Sequence, residues 1–190
     1  MADKRVSELS EITSTLNTDE YLVSRSGVSD KINGLTLRTF LNNPYAYIRD
    51  EKTSGTDAGS FTNGAWRTRT LNTKVYDVDS IATLSANQVT LIAGVYHFVG
   101  RFPSLGTGRT QARLQNITDA TTIALGSNCY TLSTPSGAII HICGRFTIAG
   151  SKALELQMRS ELTQANTWAQ GAATSWGTEV YAEIEFWKIG

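Results

Sequence analysis

The sequence predicts an all-β protein: a C-terminal antiparallel jelly-roll sandwich, preceded by a small N-terminal anchor module that contains a β-hairpin. Three observations carry that class. From residue 61 onward, apolar and polar residues alternate with the two-residue period of half-buried strands. Gly, Asn and Ser clusters break these runs at the spacing expected of short strands. No long stretch holds a helical period.

The first segment, 1–45, reads as a unit of its own. Val6, Leu9 and Ile12 recur at three-residue spacing, which suggests a short packed turn. Asp19 to Arg25 is a strand candidate, Ser26-Gly27-Val28-Ser29-Asp30 a turn, and Lys31 to Leu35 the returning strand of a hairpin. Thr36 can cap a single helical turn through Arg38, Phe40 and Leu41, which Asn42-Asn43-Pro44 ends. So small a segment buries too little surface to stand alone and needs a partner. Its apolar residues Leu9, Ile12, Tyr21, Val23, Ile32 and Phe40 are the candidate docking residues. Residues 46–60 read as a linker, because Glu51 to Ser60 is nearly devoid of apolar side chains.

The head, 61–190, is a series of alternating runs. Tyr96, Phe98 and Phe102 share one face, with Gly100 at a bulge or close approach. Ile140, Ile142, Phe146 and Ile148 share another; Leu154, Leu156 and Met158 alternate with Glu155, Gln157 and Arg159. The last run sets Val180, Ala182, Ile184 and Phe186 against Glu183 and Glu185. Opposite the core face of the 138–148 run lie Ile139, His141, Cys143, Arg145 and Thr147, too apolar at the start for a purely solvated face. Either a loop of the same subunit or another subunit covers it.

Composition narrows the function classes. Charged residues make up only 18%, against a usual ~25%, which leaves the polar surface to Thr, Ser, Asn, Gln and Gly. Lys plus Arg equals Asp plus Glu at 17 each, so nothing advertises a polyanion-binding surface and no nucleic-acid partner is expected. No apolar run approaches the ~20 residues of a membrane span, so no membrane insertion is expected. With no signal peptide at the start, Cys129 and Cys143 read as free, buried thiols and assembly is expected in a cytoplasm. His97 and His141 each sit inside an alternating strand, and no cluster of His, Cys or carboxylates has ligand spacing. There is no GxSxG, GK[ST] loop or HExxH. The chain is therefore expected to be no enzyme and to carry no cofactor or metal.

Two stretches resemble proteins of the bacteriophage particle. The pattern Val6-Ser7-Glu8-Leu9, Asp19-Glu20-Tyr21-Leu22-Val23, Gly27-Val28-Ser29-Asp30-Lys31-Ile32 and Leu35 resembles an opening module of phage virion proteins. That module precedes fibre or spike domains and docks them on the particle. The run from Asp57 through Trp66 to Asn72 looks like the start of a phage tail-fibre head domain. The likeness continues through Leu84 to Leu91, Gly94-Val95-Tyr96, Gln111 to Asp119, Gly177 to Tyr181 and Glu185 to Lys188. Such heads are similar to the trimeric jelly rolls of the complement and tumour-necrosis-factor type. The resemblance implies a homotrimer located in the virion and joined through its N-terminus to a capsid, portal, neck or tail component. It also makes Ile139, His141 and Cys143 the candidate trimer interface. The long repetitive shaft usual in phage fibres is missing, which favours a short spike, a capsid head fibre or decoration protein, or a small tail-tip protein. A soluble carbohydrate-binding module is the reading from another class.

Two segments can present a binding surface, with a host cell-surface glycan as the expected partner. In Pro103 to Arg109, the Gly106-Thr107-Gly108 turn holds Arg109 at a loop edge. In Leu162 to Gly177, Asn166, Trp168, Gln170 and Trp176 lie in a Gly/Ala/Ser/Thr-rich loop. Aromatic faces stack on sugar rings and amides bond their hydroxyls. Alternatively, Trp168 and Trp176 plug the ends of the sandwich or the trimer axis. Alternation puts Arg67 and Arg69 on one face, where with Arg109 and Arg113 they pair with acids or are simply solvated.

Overall fold

The computed structural model describes residues 20–25, 28–33, 43–132 and 136–190. The chain divides into two units, Met1–Asn43 and Pro44–Gly190. In the first, β1 (Glu20–Arg25) and β2 (Val28–Asn33) pair antiparallel, with Tyr21 opposite Ile32 and Val23 opposite Asp30. This is the expected hairpin, although its second strand begins at Val28, inside the segment read as the turn. Three candidate docking residues, Leu9, Ile12 and Phe40, fall outside the described residues, as does the turn begun at Thr36.

Alternation of the kind seen in the sequence can bury only one face of a sheet, so the second unit needs two sheets facing each other. One has the order β12-β8-β14-β3-β5. These are β3 (Tyr45–Lys52), β5 (Thr73–Tyr76), β8 (Gly94–Leu105), β12 (Gly137–Ile148) and β14 (Glu179–Lys188). The other has the order β10-β9-β13-β7-β6, with β11 added to β9 and β4 to β13. Its strands are β4 (Arg67–Thr68), β6 (Ala82–Ser85), β7 (Gln88–Leu91), β9 (Gly108–Asn116), β10 (Thr121–Leu125), β11 (Cys129–Thr131) and β13 (Lys152–Ser160). Every pairing is antiparallel, and the chain passes from sheet to sheet so that β14 lies between β3 and β8.

The core is made by the alternating faces. Tyr96, Phe98 and Phe102 from β8 meet Ile140 and Ile142 from β12, Ile184 and Phe186 from β14, and Leu154, Leu156 and Met158 from β13. Phe98 lies 5.8 Å from Phe146 and 6.3 Å from Phe186, ring centre to ring centre. Each such side chain contributes roughly 1.5–3 kcal/mol by leaving water. Tyr96 reaches this layer because its hydroxyl donates to the Ile92 carbonyl at 2.9 Å. Gly100 marks a close approach: a Cβ there would lie 3.1 Å from the Ile142 side chain.

Several expectations are corrected. The segment 46–60 is no linker. Its first part is β3, with Ala46 and Ile48 fully buried between β14 and β5. Tyr45, Tyr47 and Arg49 take the alternate positions, so the run is a two-faced strand whose second face is polar. The rest lies along the loop before β14: Ala58 N–H donates to the Gly171 carbonyl, and Phe61 and Gln164 exchange main-chain bonds. Ala58 and Phe61 are buried there. Val180 is exposed while Glu179 is buried, because the β14–β3 register shifts between Val180 and Glu183. Arg69 is buried whereas Arg67 is exposed, since β4 ends at Thr68 and alternation does not carry through. Both cysteines are free, but Cys143 is exposed and Cys129 only half-buried.

Candidate functional site

The outer face of the β12-β8-β14-β3-β5 sheet is built from the residues that alternate with the core. Direct pairing lines them up in rows: His141, Arg101, Glu183 and Arg49 form one, and Cys143, Val99, Glu185 and Tyr47 the next. Ile139, at the end of this face on β12, is 54% exposed. The three residues singled out as an interface, Ile139, His141 and Cys143, thus share one face of one strand, and all are exposed.

Most charge on this face is matched within the chain. Arg101 grips Glu183 through two hydrogen bonds of 3.0 and 3.2 Å, and the Tyr47 hydroxyl donates to the same carboxylate. Tyr45 donates to Glu185 at 2.6 Å, and Arg49 pairs with Glu51. Burial works against the Glu183 carboxylate, but the bonds from Arg101 and Tyr47 outweigh it and hold the group below its usual range. Burial first, then the bond to Glu185, pushes the Tyr45 phenol up. Tyr45 also packs 5.2 Å from Trp187, whose edge meets His97 at 5.5 Å. The face is therefore a pre-ordered polar and aromatic layer with an exposed apolar residue, Ile139, at one end of β12.

The second sheet carries a concavity at the end where β9 starts and β13 finishes. Its volume is about 1010 Å3, and Asn63, Arg109, Gln111, Asn128, Tyr130 and Arg159 are among the residues lining it. Strand register gathers them: Tyr130 pairs with Arg109 and Gln111 with Arg159. Arg109 Nη1 meets Glu161 at 2.8 Å, and the other oxygen of that carboxylate accepts the Arg109 backbone N–H. Asn63 is fixed by donating to the Glu161 carbonyl at 2.7 Å.

The other residues expected to bind ligand are not brought into this concavity. Trp168 and Gln170 lie on a 3-10 turn, Thr167–Gln170, with Asn166 just before it. Gln170 is committed inward: it accepts from Arg69 at 2.6 Å and donates to the Ser60 carbonyl at 2.7 Å. Trp168 is half-buried, whereas Trp176 is 91% exposed and plugs nothing in the single chain. Trp176 sits on a turn tied down by Glu179, whose carboxylate accepts backbone N–H groups of Thr174, Ser175 and Gly55. The Thr174 and Gly55 bonds lead in holding the Glu179 carboxyl down at about 2. Among the described residues, no group of three or more His, Cys, Asp or Glu is placed to hold a metal ion. None of the described helices is long and apolar enough to cross a membrane.

Among solved structures, the chain is similar to the globular domain of zebrafish complement 1qA protein, with 15% identity and a TM-score of 0.51. That match covers 77% of this chain and 98% of the other. Murine APRIL at pH 5.0 matches at 9% identity and a TM-score of 0.53, over 78% of this chain and all of the other. The second unit thus has the jelly-roll fold of these two domains. No family model matches the sequence, and no curated protein does. In this jelly roll the concavity and the polar–aromatic face belong to opposite sheets. Sequence reasoning found Arg109 from its turn but missed Tyr130, Asn128 and Arg159. The available signal was Arg159-Ser160-Glu161 closing a strand whose alternation had been recognised.

Proposed function

We propose that this chain is a structural subunit of a bacteriophage particle: a short homotrimeric fibre or spike that docks by its N-terminal module and displays the jelly roll for host-surface attachment. The observation that supports the homotrimer in this reading is the outer face of the β12-β8-β14-β3-β5 sheet. Its acids are already matched by Arg101, Tyr45 and Tyr47, and Ile139 adds an exposed apolar edge. A face with its charges matched in place loses little on desolvation, which suits association with copies of itself. The likeness of the sequence to phage virion modules and to trimeric heads supports the same reading. It is tested by the solution mass of the purified chain, by labelled antibody on particles, and by blocking of adsorption with free protein. A mass of three chains, label on the particle and blocked adsorption are expected; a monomer that labels no particle overturns it.

A second reading, a capsid head fibre or decoration protein with a mainly structural role, is favoured by one observation. The head unit begins at Pro44, directly after Asn43, so the sequence leaves no shaft. It predicts capsid labelling without adsorption blocking. A soluble carbohydrate-binding module would instead be a monomer with sugar affinity.

A further inference from the structure

We infer that the concavity on the second sheet is a binding site for a carboxylate-bearing sugar, such as a terminal uronic or sialic acid of a surface glycan. The inference rests on the attachment reading and names its ligand class. It keeps Arg109 from the sequence-based expectation and leaves out the other expected segment, the loop of Trp168 and Trp176.

Charge comes first. Two arginines and one carboxylate line the concavity, and Arg109 with Glu161 form one ion pair, which leaves Arg159 as the unmatched cation. Among the described residues no hydrogen bond or ion pair engages the Arg159 guanidinium. A guanidinium presents parallel N–H groups that fit a carboxylate. One surplus positive charge suits one carboxylate better than a phosphate dianion.

The remaining groups suit a hydroxylated ring. Tyr130 is 64% exposed, directly across from Arg109, and offers a flat apolar face to stack on a sugar. Asn128 and Gln111 supply amides that donate and accept at once, as vicinal hydroxyls require. The walls are held in place: Glu161 fixes Arg109, and Asn63 is fixed to Glu161. The volume of about 1010 Å3 accommodates one or two sugar rings.

Location agrees. Lys188 N–H bonds the Pro44 carbonyl, so the chain enters the head beside the end of β14 and the start of β8. β8 then runs twelve residues to Leu105, and the concavity opens beyond it, at the start of β9. At ~3.3 Å per residue the site stands roughly 35–40 Å from the entry point. It also lies on the sheet that the proposed trimer leaves uncovered.

The test is titration of the intact chain by calorimetry with galacturonic acid and N-acetylneuraminic acid, against galactose and inorganic phosphate. At least one acidic sugar is expected to bind at least ten-fold more tightly than galactose and than phosphate. Arg159→Gln and Tyr130→Ala, both exposed and checked for an unchanged melting temperature, should each weaken it at least ten-fold; Trp176→Ala should not. Phosphate binding as tightly as the sugars, or Arg159→Gln binding like the parent, overturns the site. Adsorption blocking separates the two readings. If the parent blocks adsorption and Arg159→Gln blocks equally, attachment stands and this site falls. If the parent binds the acidic sugar but blocks nothing, the site stands and attachment falls.

Discussion

Arg69 is the largest side chain buried completely in the head, and its surroundings explain how a charge is tolerated there. Its guanidinium lies 4.8 Å over the Phe102 ring and donates to both the side chain and the backbone carbonyl of Gln170. Burial pulls its pKa down to about 10, while the Asp50 charge acts the other way. Arg69→Ala would leave the Gln170 acceptors unpaired and a cavity against Phe102, and should cost about 3 kcal/mol in urea denaturation. Arg69→Met, which keeps the packing, should cost less. Glu179 makes the complementary prediction. Its folded pKa, about 2, lies below the usual 4.5, so its contribution is full above pH 4.5 and is lost as pH falls toward 2. Asp57, held low first by Thr167 and then by the Ala173 N–H, acts in the same direction. In melting temperatures recorded against pH, Glu179→Gln should lower the value at neutral pH and flatten the slope between pH 4.5 and 2.

At the scale of elements, the loop before β14 is the part most sensitive to substitution. Gly171 has φ of 144°, where L side chains are rare, and a Cβ there would overlap the Tyr181 ring. Tyr181 cannot swing away freely, because its hydroxyl bonds the Thr56 carbonyl at 2.7 Å. Gly171→Ala should therefore cost about 3 kcal/mol, read as a lowered melting temperature. This loop also marks the boundary of what the sequence revealed. Strands β8, β12 and β13 were legible because their apolar residues recur at alternate positions, broken only by Gly100 in β8 and Gly144 in β12. β3 was not, because Tyr45, Tyr47 and Arg49 on one face and buried Asp50 on the other blur the alternation. The segment from Gly55 to Ser60 looked like a linker because its partners, Thr167 to Glu179, lie more than a hundred residues along the chain. The concavity was hidden for the same reason: register between β9, β11 and β13, not local pattern, assembles Tyr130, Arg109 and Arg159.

For the whole molecule, the proposed trimer makes its own demand on the outer sheet face. Ile139→Asp places a charge at the exposed apolar end of this face without touching the core, since Ile139 points away from Ile140 and Ile142. Light scattering should then report a monomer, with the melting temperature of the single chain retained; a trimer of unchanged mass would move the interface elsewhere. The hydrogen bond between Lys188 and Pro44 has a mechanical consequence. If the proposed spike holds, a pull between the particle and a bound cell would load the head between its entry at Pro44 and its far end, along β3. From Tyr45 to Lys52 that strand is paired with β14, and for part of its length with β5. Tension in that direction shears the ladder with its bonds loaded together, whereas peeling from one end would break them one at a time. Under such a pull the β3–β14 joint would meet the load in the geometry that best resists it.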